Sequence, residues 1–196
     1  LSLSIGLACT NLLLTFFIYE YNIESNLPDK EQIVCLQQDA PMQEGAKVSY
    51  AVGTIPALLK DKFAEIEEYV RINTMSAQYC KYNTEVFHDV TFICADASLL
   101  CFFDYQTRTG NLKEVLIHPD QVAVSEEFAQ KMFGDTDPID KHIDVSMSDN
   151  GNKTYVVKAV IKARPQSLLR FDLITGTEST FWGGFTLLKL TEGSSP

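Results

Sequence analysis

What the chain lacks sets the first limits on what it does. Nowhere in its 196 residues does a lysine directly follow a glycine. A phosphate-cradling loop needs glycine amides and then that lysine, so the chain has no such loop for ATP. Cys-x-x-Cys is also missing, which removes the simplest thiol-redox and zinc readings. Basic side chains are in the minority, with 16 Lys+Arg against 26 Asp+Glu and a net charge of −10. Duplex nucleic acid and anionic lipid surfaces both attract a basic footprint, so neither is favoured as a partner. The three histidines, His88, His118 and His142, lie far apart in sequence without the close spacing of a helical metal pair, and read as ordinary surface or strand residues.

Charge is absent altogether from Leu1 to Tyr19, and Glu20 is the first charged residue. A helix of that length covers almost 30 Å of hydrocarbon at about 1.5 Å per residue. Ser2, Ser4, Thr10, Asn11 and Thr15 moderate it, and Tyr19 and Tyr21 stand where an interfacial aromatic belt belongs. A signal peptide would need a basic leading region and a small-residue cleavage site. A buried core helix is the other alternative, but it would normally show a polar stripe, and none of these positions is charged. The expectation is a transmembrane helix over residues 1–19, truncated at its start, because the chain opens on Leu and reads as part of a longer protein.

The remaining pattern is rich in short strands. Residues 32–38, 68–73 and 87–94 read as strands, and Thr54-Ile55-Pro56 opens a helix whose Leu58, Leu59 and Phe63 share a face. Asp96 is placed to cap a short helix over 99–103. Ser125 caps a stronger one, with Glu126 and Glu127 in its first turn, Phe128, Ala129, Met132 and Phe133 on its apolar face, and Gly134 at its end. A hairpin follows: residues 142–147, a turn at Asp149-Asn150-Gly151-Asn152, and a return over 153–163 with Tyr155, Val157, Ala159 and Ile161 on one face. A last strand spans 181–190, with a bulge at Gly183-Gly184. The fold class is α+β.

Reactive chemistry is sparse. Cys9 falls in the apolar opening, and Cys35, Cys80, Cys94 and Cys101 allow three pairings in an oxidising compartment. Three of these four sit in apolar runs, as buried free thiols do; one disulfide is the sharper alternative, and a nucleophilic cysteine the weakest. Glu65, Glu67 and Glu68 read as a solvated helix exit rather than an acid–base pair. Asp135 and Asp137 flank a turn with ligands too sparse for calcium. Asn152-Lys153-Thr154 fits an N-glycosylation acceptor and equally an ordinary turn. No catalytic residue, cofactor or metal site is assigned.

In order along the chain, several short stretches resemble the MacB/FtsX-type ABC permease family, namely its periplasmic core domain with the end of the first membrane helix. Ser4-Ile5-Gly6-Leu7-Ala8 resembles its first span, with Glu20 and Glu24 at the span's exit. Ile33-Val34-Cys35-Leu36 resembles its opening strand; Phe63-Ala64-Glu65-Ile66-Glu67 with Val70-Arg71, and Ala95-Asp96 with Phe102-Phe103, resemble its middle. Val124-Ser125-Glu126, Ala129, Phe133-Gly134 and Asp137-Pro138-Ile139 are the most specific stretch, and Pro165, Ser167 and Phe171-Asp172 close the region. Val34, Ala64 and Asp140 depart from the usual Tyr, Pro and Gly.

The resemblance implies a mixed α/β membrane-proximal subdomain, 30–78 plus 165–196, and an inserted β-rich subdomain, 79–164, together forming an extracytoplasmic domain over 20–196. It implies a noncatalytic periplasmic part of a bacterial inner-membrane permease, coupling cytoplasmic ATP hydrolysis to export or to mechanotransmission. Its partners would be an ABC ATPase, a second permease copy, and a periplasmic adaptor or cargo such as a peptide, lipoprotein, lipid or drug. A single-span anchored sensor or adhesion module is the alternative, and an anchored hydrolase using Cys80 or a histidine a weaker one.

Overall fold

The computed structural model describes residues 2–21, 29–40, 45–147, 151–162, 167, 169–177 and 183–194. The opening run forms α1 (Ser2–Tyr21), and its side chains from Ser4 to Ile18 are all exposed. Thr10 and Thr15 donate their hydroxyls to the carbonyls of Gly6 and Asn11, one turn back along the same helix. Among the described residues no helix is long and apolar enough to cross a membrane.

The chain then builds β1 (Ile33–Cys35), β2 (Gln38–Asp39), β3 (Lys47–Val48), β4 (Ala51–Val52), α2 (Ile55–Lys62) and β5 (Ile66–Ala77). Next come β6 (Tyr79–Tyr82), β7 (Glu85–Phe87), β8 (Val90–Ala95), α3 (Leu99–Phe102), β9 (Thr107–Gly110) and α4 (Leu112–Val115). The last elements are β10 (Gln121–Ser125), α5 (Glu126–Phe133), β11 (His142–Met147), β12 (Gly151–Ile161), β13 (Leu173–Gly176) and β14 (Gly183–Leu190). Among the described residues twelve strands share one sheet, in the order β1-β14-β5-β8-β13-β10-β12-β11-β6-β7, with β4 also on β14 and β9 also on β12. The β10/β12 and β8/β13 pairs are parallel and the others antiparallel, giving a mixed α/β sheet; β2 and β3 pair separately. Strands from 79–164 and strands outside it are bonded in this one sheet, β8 lying between β5 and β13.

Sequence neighbours within a strand point to opposite faces, and the core divides accordingly. Phe92, Val124 and Leu173 join the cluster covered by Phe128, Met132 and Phe133 of α5. Ile93, Ala123 and Ile174 join the cluster under α3 and α4, with Leu99, Phe102, Leu112 and Val115. The expected single face of Tyr155, Val157, Ala159 and Ile161 does not exist. Tyr155 and Val157 lie in the first cluster, Ala159 and Ile161 in the second. A bulge causes this, because Val122 pairs with Val157 and Ala123 with Ala159, so Lys158 is skipped and the alternation inverts.

Other expectations shift for local reasons. The first strand is three residues long, and Gln38 belongs to the separate hairpin. α2 buries Pro56 and half-buries Leu59, whereas Leu58 and Phe63 are 65% and 44% exposed, so the expected three-residue apolar face does not form. Glu67 and Glu68 lie in β5, not in a helix exit. Asp96 does not cap α3, which begins after Ser98. Ser125 does cap α5, its hydroxyl accepting the Phe128 N–H at 3.2 Å, and Gly134 follows at φ 58°. Asp140 has φ 63°, a backbone that Gly adopts freely and Asp tolerates. The turn residues 149–150, Pro165, and positions 181–182 of the last expected strand lie outside the described residues.

Candidate functional site

Two polar arrangements stand out, both on the half of the sheet built from β1, β14, β5 and β8. The first centres on Asp96, at the end of β8. Arg71 on β5 donates to it through Nε at 2.8 Å, Nη2 at 2.7 Å and its own backbone N–H at 3.0 Å. Thr177, just after β13, donates its hydroxyl at 2.8 Å. Arg71 Nη1 also reaches the Gly53 carbonyl at 2.9 Å, in the turn before α2. The hydrogen bond that Arg71 donates to Asp96, opposed by burial, holds the guanidinium pKa above its ordinary value. The segments of Arg71 and Thr177 are thereby tied to one carboxylate, and that of Gly53 is joined to it through the guanidinium.

Against this hub lies an open cleft of roughly 410 Å³ lined by Ala57, Lys60 and Asp61 of α2, Glu68 and Tyr69 of β5, and Asp96 and Ser98. Its groups are engaged with one another. Lys60 Nζ sits 2.7 Å from Glu68 Oε1, and Ser98 donates its hydroxyl to the Tyr69 carbonyl at 2.6 Å. No nucleophile beside a general base is found in this cleft among the described residues.

The second arrangement lies where the incoming and outgoing chain meet. β1 pairs antiparallel with β14, placing Ile33 opposite Lys189. Asp29, in a left-handed conformation before a 3-10 turn over Lys30–Gln32, receives Lys189 Nζ at 2.9 Å. Glu67 Oε2 stands 3.9 Å from the same nitrogen. Asp29, more than Glu67, holds the Lys189 pKa above its ordinary 10.5. Beyond β14, the Thr191 N–H bonds the Glu65 carbonyl at 2.8 Å.

The candidate reactive residues are not gathered. No group of three or more His, Cys, Asp and Glu able to hold a metal occurs among the described residues. No disulfide joins the cysteines among the described residues, and of the three expected in buried runs Cys35 and Cys94 are half-buried and Cys101 is exposed. Cys80 is wholly buried, and loss of solvation pushes its thiol up to about 12, with Asp144 and Asp172 adding to the shift. His88 Nδ1 lies 3.2 Å from the Gln78 carbonyl. Asp137 accepts the Ile139 N–H at 3.0 Å, the local work of a turn residue. Asn152 donates to the Tyr79 hydroxyl at 3.0 Å on an exposed hairpin.

The hub itself had no sequence signal beyond the Val70-Arg71 and Ala95-Asp96 resemblances. Arg71 and Asp96 are 25 residues apart and Thr177 a further 81, and only the pairing of β5 with β8 and β8 with β13 brings them together.

No protein-family model and no curated protein matches the chain. Solved structures do. A domain of a protein described as a permease from Porphyromonas gingivalis matches with a TM-score of 0.71 at 16% identity, covering 87% of this chain and 80% of that one. The periplasmic region of MacB from Actinobacillus actinomycetemcomitans gives 0.61 at 10% identity, over 89% and 79%. The extracellular domain of the ABC-type transporter YknZ from Gram-positive bacteria gives 0.61 at 14% identity, over 81% and 82%. The chain has the fold of these periplasmic and extracellular permease domains.

Proposed function

We propose that the chain is a noncatalytic extracytoplasmic domain of a bacterial ABC-type permease, related to the MacB/FtsX kind. In this role it transmits movement driven by a cytoplasmic ATPase to the outside of the membrane. The observation that carries the proposal is the likeness to permease domains over more than four-fifths of the chain in each comparison. Three features of the chain support it. It has no phosphate loop of its own, so an energy source must lie elsewhere. Its largest exposed apolar side chains, among them Leu7, Leu12, Phe16 and Phe17, are concentrated on α1, which would form part of a membrane segment. The threonines of α1 satisfy their hydroxyls on the helix itself, as a polar group in hydrocarbon must.

Movement of α1 would enter the sheet through β1, and the hub at Asp96 would keep α2, β5, β8 and the end of β13 moving together. The membrane-proximal part, 30–78 with 165–196, and the inserted part, 79–164, would then act as one lever, since their strands share a sheet. A second permease copy and a periplasmic adaptor or cargo belong to the same proposal.

Two of the chain's own thiols provide the test, because Cys9 on α1 and Cys101 on α3 are both exposed. In intact spheroplasts of cells expressing the full protein, a membrane-impermeant maleimide is expected to label Cys101 and to spare Cys9. Gentle detergent extraction is expected to bring down an ATP-hydrolysing subunit with the protein. Labelling of Cys9 from outside, or protection of Cys101 until lysis, would overturn the proposed placement.

A further inference from the structure

We propose that β1, with the 3-10 turn before it, is a releasable strap that peels from β14 while the rest of the sheet stays intact. The inference stands on strand geometry and survives if the permease reading fails.

β1 contributes three residues to the ladder, Ile33, Val34 and Cys35, and all three are only half-buried. Its neighbour β14 is held on the other side by a much longer register with β5, from Phe185 opposite Ile72 to Leu190 opposite Ile66. Past the end of β1, β14 is flanked by β4 at Gly183 and Gly184. Local opening free energies follow such differences in buried contacts, so β1 belongs to the least protected end of the sheet.

Its attachment also has a direction. Because β1 and β14 are antiparallel, the start of β1 lies beside the end of β14, and Asp29 and Lys189 fasten that corner. A pull that separates Asp29 from Thr191 loads the strand bonds one after another from this corner, as in opening a zipper. The same pull meets the β5/β14 ladder only after β1 has gone. The fastener itself is weak, since Asp29 is 50% exposed and a solvated ion pair contributes little. Release would bare the β14 edge at Leu187, Leu188 and Lys189, of which the two leucines are buried when β1 is in place.

Amide hydrogen exchange on the full chain tests the strap. The Leu36 N–H, bonded to the Thr186 carbonyl at 2.9 Å, reports its closure. A peptide over 30–36 is expected to exchange well before one over 90–95, and Asp29→Asn to speed the former roughly two- to fivefold without touching the latter. Equal protection of the two peptides, or acceleration of both by Asp29→Asn, would overturn the proposal.

A lock provides the second arm. Cys35 and Leu187 are Cα partners, and the bond from Leu36 to Thr186 puts them at a non-hydrogen-bonded position, where facing side chains approach closest. In Leu187→Cys, diamide removes two electrons and two protons from the facing thiols as the disulfide forms. Exchange over 30–36 should fall to the level of 90–95 and recover on reduction; exchange unchanged in the confirmed disulfide form would overturn the strap.

Discussion

Replacing Arg71 by Met removes two of the four hydrogen bonds that the Asp96 carboxylate accepts among the described residues, leaving those from the Arg71 backbone N–H and the Thr177 hydroxyl. It also takes the 2.9 Å donor from the Gly53 carbonyl. The two charged side chains are 19% and 13% exposed, so water compensates only in part. Breaking a buried pair by deleting one partner costs about 3–5 kcal/mol, and this residual exposure puts the expected loss at about 3 kcal/mol. Asp96→Asn should cost a similar amount, because it strands the guanidinium. The double substitution should cost less than the sum of the singles by at least about 1.5 kcal/mol, since each single already forfeits the shared interaction. Urea unfolding followed by circular dichroism, with the slope compared among all four proteins, measures this. A loss below about 1 kcal/mol for Arg71→Met, or strict additivity in the double variant, would refute the hub as an energetic centre.

Cys80 makes the alkaline limb of stability testable. Its thiol keeps the proton in the folded state, with a pKa raised from 9.0 to about 12, so its contribution is complete below pH 9 and is lost as the pH climbs toward 12. The expected slope approaches 1.4 kcal/mol per pH unit in that window, and Cys80→Ala should flatten it in pH-dependent unfolding. Gly110 has φ +83°, and a Cβ there would stand 2.0 Å from the Lys158 carbonyl oxygen at the β12 bulge. Gly110→Ala is therefore expected to cost more than about 3 kcal/mol by urea unfolding, whereas Gly134→Ala, with positive φ but open space, should cost about 1–2 kcal/mol.

Elements whose cause is local were legible in sequence. The cap at Ser125 and the apolar face of α5 need only side-chain spacing and form where the pattern puts them; the hairpin expected as 142–147 with a return over 153–163 also pairs, but its return runs from Gly151 to Ile161. The expectations that failed depended on partners far along the chain. Alternation along 155–161 predicts a single face, but the skipped Lys158 is set by the register against β10, which no window around β12 contains. Asp96 looks like a cap because capping is its commonest local role, and Arg71, reached through strand pairing, claims its carboxylate instead. Leu59 and Phe63 have helical spacing, yet only Pro56 of α2 is buried; Leu59, one turn on from it, is half-buried, and Leu58 and Phe63 are exposed.

The Ser125 cap, the apolar face of α5 and the lack of a phosphate loop are legible along the chain alone, because they are properties of residues a few positions apart. Tertiary structure decided which residues share a face, which charges are paired, and that the incoming strand is fastened beside the outgoing one. Those outcomes are fixed by strand order and register, and both come from the balance of buried surface over the whole sheet, which no short stretch of chain encodes.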